Sequence, residues 1–302
     1  MASLTLLEIA KKNGSDKVVG LIEEVVNVFP ELQIGAARTI KGQNYKTLVR
    51  TGLPTVGFRN ANEGVASTVS TYENRLVETF ILNTKWNCDK AVADSNEDGP
   101  ENSMFMEGVG QLQAAFRTVA KQFYYGRTTG DAKGHPGLID SIASAMTVDA
   151  TGSTADTGSS VWLVKFGMQD VQWVWGENGS LDLSDIRIGD ITQGSGTYTA
   201  YIQEILSYVG VQVGSTNSIA RIKNLTAQAG KGLTDSLIFD ALETFPSGVR
   251  PDAIFMSRRS RGQLRKSRTA TNATGAPAPI PTEVDGIPVY ATDAILNTEA
   301  IA

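Results

Sequence analysis

The chain has one cysteine and one histidine in 302 residues. Cys88 has no partner for an intrachain disulfide, as expected of a chain folded in a reducing cytosol, and reads as a small buried hydrophobe. His135, followed by Pro136, cannot build a histidine-based metal site or a His-Glu-x-x-His pair alone. A Ser-His-Asp triad would have to recruit it, and no Gly-x-Ser-x-Gly turn occurs. Gly230-Lys-Gly232 lacks the first glycine and the final hydroxyl of a phosphate loop, and Gly108-Val-Gly110 lacks the third glycine of a dinucleotide fingerprint. Asp182 and Asp185 form the kind of carboxylate pair common on surfaces. No catalytic residue, cofactor or metal is expected. Positive charge is also short: 27 Lys and Arg against 32 Asp and Glu give a net charge of -5, which argues against an electrostatic grip on nucleic acid. No apolar run approaches the roughly 20 residues of a membrane span, and the start lacks the basic and apolar regions of a signal peptide. No membrane partner is expected, and synthesis is placed in the cytoplasm.

What is present is an ordinary globular composition, 41% hydrophobic and 20% charged, with ample material for a core. Residues 100–126 read as one long helix, because Phe105, Val109, Leu112, Phe116, Val119 and Phe123 recur at steps of four and three and share one stripe. Pro100 and Ser103 are start signals and Gly126 a stop. Taken alone this is a core helix of any α+β protein. Before it, residues 45–50 alternate polar and apolar and residues 68–82 are rich in β-branched side chains, so two strands are expected. The stretch between them, Thr51 to Val65, is too polar and too glycine-rich for a core, and a hairpin with such a tip projects from its domain. Asn62-Glu63-Gly64 is its turn.

Residues 3–29 carry an amphipathic stripe, Val18, Leu21, Ile22, Val25, Val26 and Phe29, closed by Pro30, and read as a helical arm. Residues 127–137 are a surface loop by composition, followed by a short helix through Leu138, Ile139, Ile142 and Met146. Residues 149–160 read as a flexible linker and domain boundary. Beyond it come strands at 161–166, 171–175 and 198–213, then helices at 217–226 and 234–245, the second capped by Thr234. A buried strand at 252–256 leads into a helix capped by Ser257 with Arg258, Arg259, Arg261, Arg265, Lys266 and Arg268. This basic run has no aromatic residue to stack on bases, and it reads first as a solvated or intersubunit face paired with acids. Pro277, Pro279 and Pro281 make an extended loop, and residues 286–295 close the chain as a strand.

Gly52-Leu-Pro-Thr-Val56, Phe58-Arg59 and Asn62-Glu-Gly-Val65, then Trp86 to Asp94 (Trp-Asn-Cys-Asp-Lys-Ala-Val-Ala-Asp), a long helix ending Phe-Tyr-Tyr-Gly126, and Gly137-Leu138 together resemble a tailed-bacteriophage major capsid protein of the Hong Kong 97 bacteriophage coat fold. The resemblance covers nearly the whole chain. It implies an α+β fold with an N-terminal arm (1–30), an extended hairpin loop and its base (31–83), a peripheral domain (84–148) with a spine helix at 101–125, an axial domain (149–268), and a return segment to the peripheral domain (269–302). It implies a structural function: hexamers and pentamers closing into an icosahedral head around double-stranded DNA that is contacted weakly and non-specifically, assembled in the bacterial cytoplasm and retained in the virion. A separate scaffolding protein, a portal and a decoration protein are the implied partners, the first because no long N-terminal extension precedes the arm.

Within that resemblance the hairpin of one subunit lies across the spine helix of the next. The tip residues expected to make the contact are Pro54, Phe58, Arg59, Asn62, Glu63 and Gly64, with Phe58 as an anchor and Arg59 and Glu63 in charge-assisted bonds to the neighbour. Some members of the fold weld neighbours by an isopeptide bond from a loop lysine. The tip here, 51–68, holds none, and Lys41 and Lys46 lie near the hairpin base, so no covalent cross-link is expected. A nanocompartment shell of the same fold and an unrelated α+β enzyme or binding module are the alternatives.

Overall fold

The structure, a computed structural model, describes residues 27–179, 181–272 and 276–301. The expected arm stripe from Val18 to Val26 lies outside them. Two sheets of six strands, a separate two-stranded hairpin and one long helix make up the frame.

The first sheet is built on the 18-residue strand Gly196–Val213. Along one edge it pairs with Phe80–Asp89, from Ala200 opposite Asp89 to Val209 opposite Phe80. Along the other it takes Arg187–Gln193, Leu181–Leu183 and Val171–Trp175 in succession, all antiparallel. Ala37–Thr39 adds in parallel beyond Val171–Trp175.

The second sheet centres on Ser159–Val164, flanked by Ile219–Leu225 and Ala253–Met256. Both of its central strands, Ser159–Val164 and Ala253–Met256, are buried at every position, the mark of a sheet covered on two faces. Alternation divides them: Val161, Leu163, Ile254 and Met256 face the helices Asp235–Glu243 and Arg258–Ala270, packing with Ile238, Ala241 and Leu264. Trp162, Val164 and Phe255 point the other way, to the end of the long helix.

That helix, Pro100–Thr129, spans 30 residues with a break at Gly126, and the part before the break is roughly 40 Å long at about 1.5 Å per residue. Pro100 occupies its first turn. Its inward face is not the expected stripe. Phe105 is 69% and Phe116 37% exposed, Val109 and Leu112 are half-buried, and of the six only Val119 and Phe123 are core residues. In the first half the buried side chains are Ser103, Met104 and Ala115, because the helix runs close to strand Phe80–Asp89. A Cβ on Gly108 would stand 3.1 Å from the Trp86 ring. The face towards Trp86 is therefore set by Gly108 and Ala115 together with the one large residue Met104, and Phe105 and Phe116 turn outward.

Three further expectations are revised. Residues 217–226 are not helical: after the 3-10 turn Thr216–Ser218, Ile219–Leu225 is a strand, its apolar side chains shared between two cores. Residues 149–160 are not a free linker. Ala150 N and Gly152 N donate to Lys223 O and Asn224 O, and Gly158 exchanges two 3.0 Å backbone bonds with Glu299. The block 149–268 is divided, since Val171–Trp175 and Gly196–Val213 belong to the first sheet while Ile287–Ala291, from the expected return segment, pairs with Ala253–Met256 in the second.

Candidate assembly surface

Asn44–Gly52 and Thr71–Glu78 form the hairpin, antiparallel from Asn44 opposite Glu78 to Gly52 opposite Thr71. Its root is pinned to the first sheet, where Tyr45 OH donates to Gln212 Oε1 and Arg75 Nη1 to Gly214 O at 3.1 Å, and the hairpin base is closed by Thr79 N donating to Gln43 O at 2.8 Å. Outward of the root the hairpin meets solvent, with Leu48, Leu53, Val56, Phe58, Val65 and Val69 all more than 60% exposed. Phe58 is completely bare.

The tip turn is made by its own side chains. Asn60 N donates to Glu63 Oε2 at 2.9 Å, and Arg59 Nη1 to Glu63 O at 2.8 Å, around Asn62 at φ 64°. Arg59 and Glu63, expected to reach a neighbour, thus shape the loop that presents Phe58. Pro54 and Gly64 lie in the same strandless tip.

A second apolar feature lies at the first half of the long helix. Phe105, Val109 and Leu112, with Trp86, Ile205, Leu183 and Ile186, line a groove of about 400 Å³. Three residues of the expected core stripe are thus the wall of a surface groove.

The second half of the helix enters the joint between the sheets. Phe123 stacks on Trp173 of the first sheet at 4.8 Å, and Tyr124 meets Trp162 and Phe255 of the second at 6.2 Å each. Gly126 (φ 51°, ψ -143°) breaks the helix there. Asp140 repairs the break, accepting from Arg127 N at 2.6 Å, Gly137 N at 3.0 Å and Thr128 N at 3.2 Å. Burial works against the ionised form of Asp140, yet these bonds and the Thr128 hydroxyl hold its pKa below the usual carboxylate range. Gln122 staples the following loop, bonding Asp131 O, His135 O and Asp131 N. His135 is therefore buried rather than in a surface loop, edge-on to Trp173 at 6.1 Å.

Among the described residues no group of three or more His, Cys, Asp and Glu could hold a metal ion, and no helix is long and apolar enough to cross a membrane. The family model for "Major capsid protein GP7" matches residues 11–302. The chain belongs to that major capsid protein family.

Among solved structures, the capsid protein is similar to a chain of bacteriophage Epsilon15, with a TM-score of 0.77, 22% identity, and coverage of 100% of this chain and 98% of the other. It matches the encapsulin of the holo-SrpI complex from Synechococcus elongatus with a TM-score of 0.48 and 9% identity, over 76% and 98% of the two chains. A chain of Mycobacterium phage Cain matches with a TM-score of 0.47 and 12% identity, over 73% and 98%. No curated protein sequence matches. The fold is that of the Hong Kong 97-type phage capsid proteins, and the role is structural, not enzymatic.

In this capsid protein most of the basic helix Arg258–Ala270 is engaged internally. Arg268 forks onto Asp235 at 2.7 and 2.8 Å, Arg258 reaches Asp293 at 3.2 Å, Arg259 bonds the carbonyls of Thr157, Leu225 and Asn297, and Arg265 bonds Ala278 O. The joint holds a second polar network that the sequence did not announce. Glu299 accepts from Tyr125 OH at 2.6 Å, Ser160 Oγ at 2.6 Å and Arg221 Nη2 at 3.2 Å. Each of these residues sits in an unremarkable local pattern, and a lone Glu near the chain end was the sole available signal.

Proposed function

We propose that copies of this capsid protein assemble hairpin to groove: the tip of one copy, anchored by Phe58, lies in the apolar groove on the first half of the next copy's long helix. One observation carries the reading. The same chain exposes a row of apolar side chains on a projecting hairpin and an apolar groove of about 400 Å³ elsewhere, and nothing among the described residues of that copy covers either. Patches of this kind mark interaction surfaces. Two different surfaces that fit each other give a heterologous contact, which closes into rings when the rotation permits.

In this reading the second sheet and its two helices form the axial domain around five-fold and six-fold axes, and the first sheet with the long helix is peripheral. Pro54, Asn62 and Gly64 shape the tip, Arg59 and Glu63 brace it, and Phe58 makes the contact. The assembled head encloses double-stranded DNA, touched weakly in keeping with a net charge of -5. A separate scaffolding protein, a portal and a decoration protein complete the partners, and assembly takes place in the bacterial cytoplasm. Negative-stain electron microscopy of the expressed chain, alone and with its neighbouring genes, tests this. Closed shells or rings of five and six are expected for the wild type and none for Phe58→Asp. Normal shells from Phe58→Asp would overturn the contact.

A further inference from the structure

Glu31 stands in the first turn of the short helix Pro30–Ile34 and is fully buried. Its Oε1 accepts from Thr292 Oγ1 at 3.1 Å, and the fully buried Tyr124 hydroxyl lies against the same carboxyl. The charge that acts on it is of the same sign: Asp293, itself held by Val28 N at 2.9 Å and Arg258 Nη2 at 3.2 Å. Arg258 is thus engaged by Asp293. From the first sheet, Trp173 Nε1 donates to Glu31 O at 3.1 Å, and behind that ring lies the buried, neutral His135. Among the described residues no cation bonds to the Glu31 carboxyl.

We propose that Glu31 is a proton-operated latch: with a proton on its carboxyl, the segment Val28 to Ala36 is seated on the joint between the two sheets, and with the carboxylate ionised this segment loosens. The argument is one of solvation. Both hydroxyls beside the carboxyl, Thr292 and Tyr124, can donate to it in either state, so the difference lies in the charge: a neutral carboxyl needs no counter-ion in this dry site. An ionised one is a buried charge beside another of the same sign, a state that folded proteins avoid by neutralisation or by moving the group to water. Burial raises the Glu31 pKa to about 7, so the change falls in the neutral range. Trp173 belongs to the first sheet and Thr292 follows the last strand of the second, so seating this segment clamps one sheet to the other. The value of such a clamp in a shell, where copies meet at several angles, rests on the assembly reading. The latch itself is within one chain.

The test is hydrogen exchange read by mass spectrometry on the full chain between pH 5 and 8, corrected for the pH dependence of intrinsic exchange. The amides of Leu32, Gly35 and Trp173, bonded to Phe29 O, Glu31 O and Ala36 O, are the reporters. The seated state binds a proton that the loosened state does not between the ordinary carboxylate pKa and about 7, so protection falls as pH rises, roughly 100-fold from pH 5 to pH 8. Glu31→Gln, neutral at every pH, keeps the reporters protected throughout. Thr292→Val removes a bond that favours the carboxylate and moves the midpoint to higher pH. A wild type whose protection is flat, a Gln variant with the wild-type slope, or an unmoved midpoint in Thr292→Val would each overturn the latch. None of these readings depends on whether shells form.

Discussion

Tyr125, one residue before the break in the long helix, donates its hydroxyl to Glu299 Oε1 at 2.6 Å across 174 positions of sequence. The same hydroxyl accepts from Leu296 N at 2.8 Å, and burial with the Glu299 charge raises its pKa above the ordinary phenol value. One residue pair thus ties the chain's last turn to the helix and, through Arg221 and Ser160, to the second sheet.

Glu299→Ala leaves Arg221, with its side chain only 11% exposed, without its counter-charge. Removing one member of a buried pair costs about 3–5 kcal/mol, and Tyr125→Phe about 1–2 kcal/mol for the lost bond. Thermal unfolding should show the first variant lowered much more than the second. Replacing both charges, Arg221→Met with Glu299→Leu, should recover most of the loss.

Gly126 has no room for a side chain. A Cβ there would lie 1.8 Å from Asp140 Oδ2 and 2.3 Å from Gly137 N, at φ 51° with ψ -143°, a conformation costly for any other residue. Gly126→Ala should abolish soluble expression or cost several kcal/mol, as overpacking and backbone strain together do. Gly110, in the same helix with nothing within 4 Å of its Cβ position, is the control. Gly110→Ala should stabilise by roughly 0.5–1 kcal/mol.

His135 is held neutral. Burial lowers its pKa to about 4, against an ordinary value of 6.5. Between those two values the unfolded chain binds the proton and the folded chain does not, so this residue's contribution is lost as pH falls through that window. The difference amounts to about 3 kcal/mol at 1.36 kcal/mol per pKa unit. Glu31 has the opposite sign over an overlapping range. The informative measurement is therefore urea unfolding of wild type and His135→Met at pH 4 and pH 7: the variant should lack the acid-sensitive part.

The hairpin and the long helix were legible because their signals are local: period-two alternation in 45–50, glycine and asparagine at the tip, Pro100 at the helix start. The caps at Thr234 and Ser257, accepting from Leu237 N and Ser260 N, were legible for the same reason. Which face of the helix is buried was not. Phe105 and Phe116 outweigh Met104, Gly108 and Ala115 in any count of hydrophobicity, yet close approach to Trp86 requires Gly108 on the inner face, and Met104 and Ala115 share that face. Ile219–Leu225 was mistaken for a helix because its alternation, Ala220 to Lys223, is short and is broken by a register shift between Ile222 and Leu225. The joint was invisible for a third reason. Glu31, Tyr125, Arg221 and Glu299 are brought together only by the pairing of both sheets with the last segment. At the tip, the turn at Asn62-Glu63-Gly64 was legible, but not that Arg59 and Glu63 bond to the turn itself.

The contact between copies is tested most directly by mixing two single-cysteine variants, Phe58→Cys and Val109→Cys, both built on Cys88→Ser so that no other thiol remains. Each carries one thiol, so a disulfide joining 58 to 109 can form only between copies. After co-assembly and mild oxidation, a non-reducing denaturing gel should show a dimer containing one of each variant, absent when either variant is oxidised alone. Monomer alone from particles that electron microscopy shows to be closed would mean that the hairpin tip docks elsewhere.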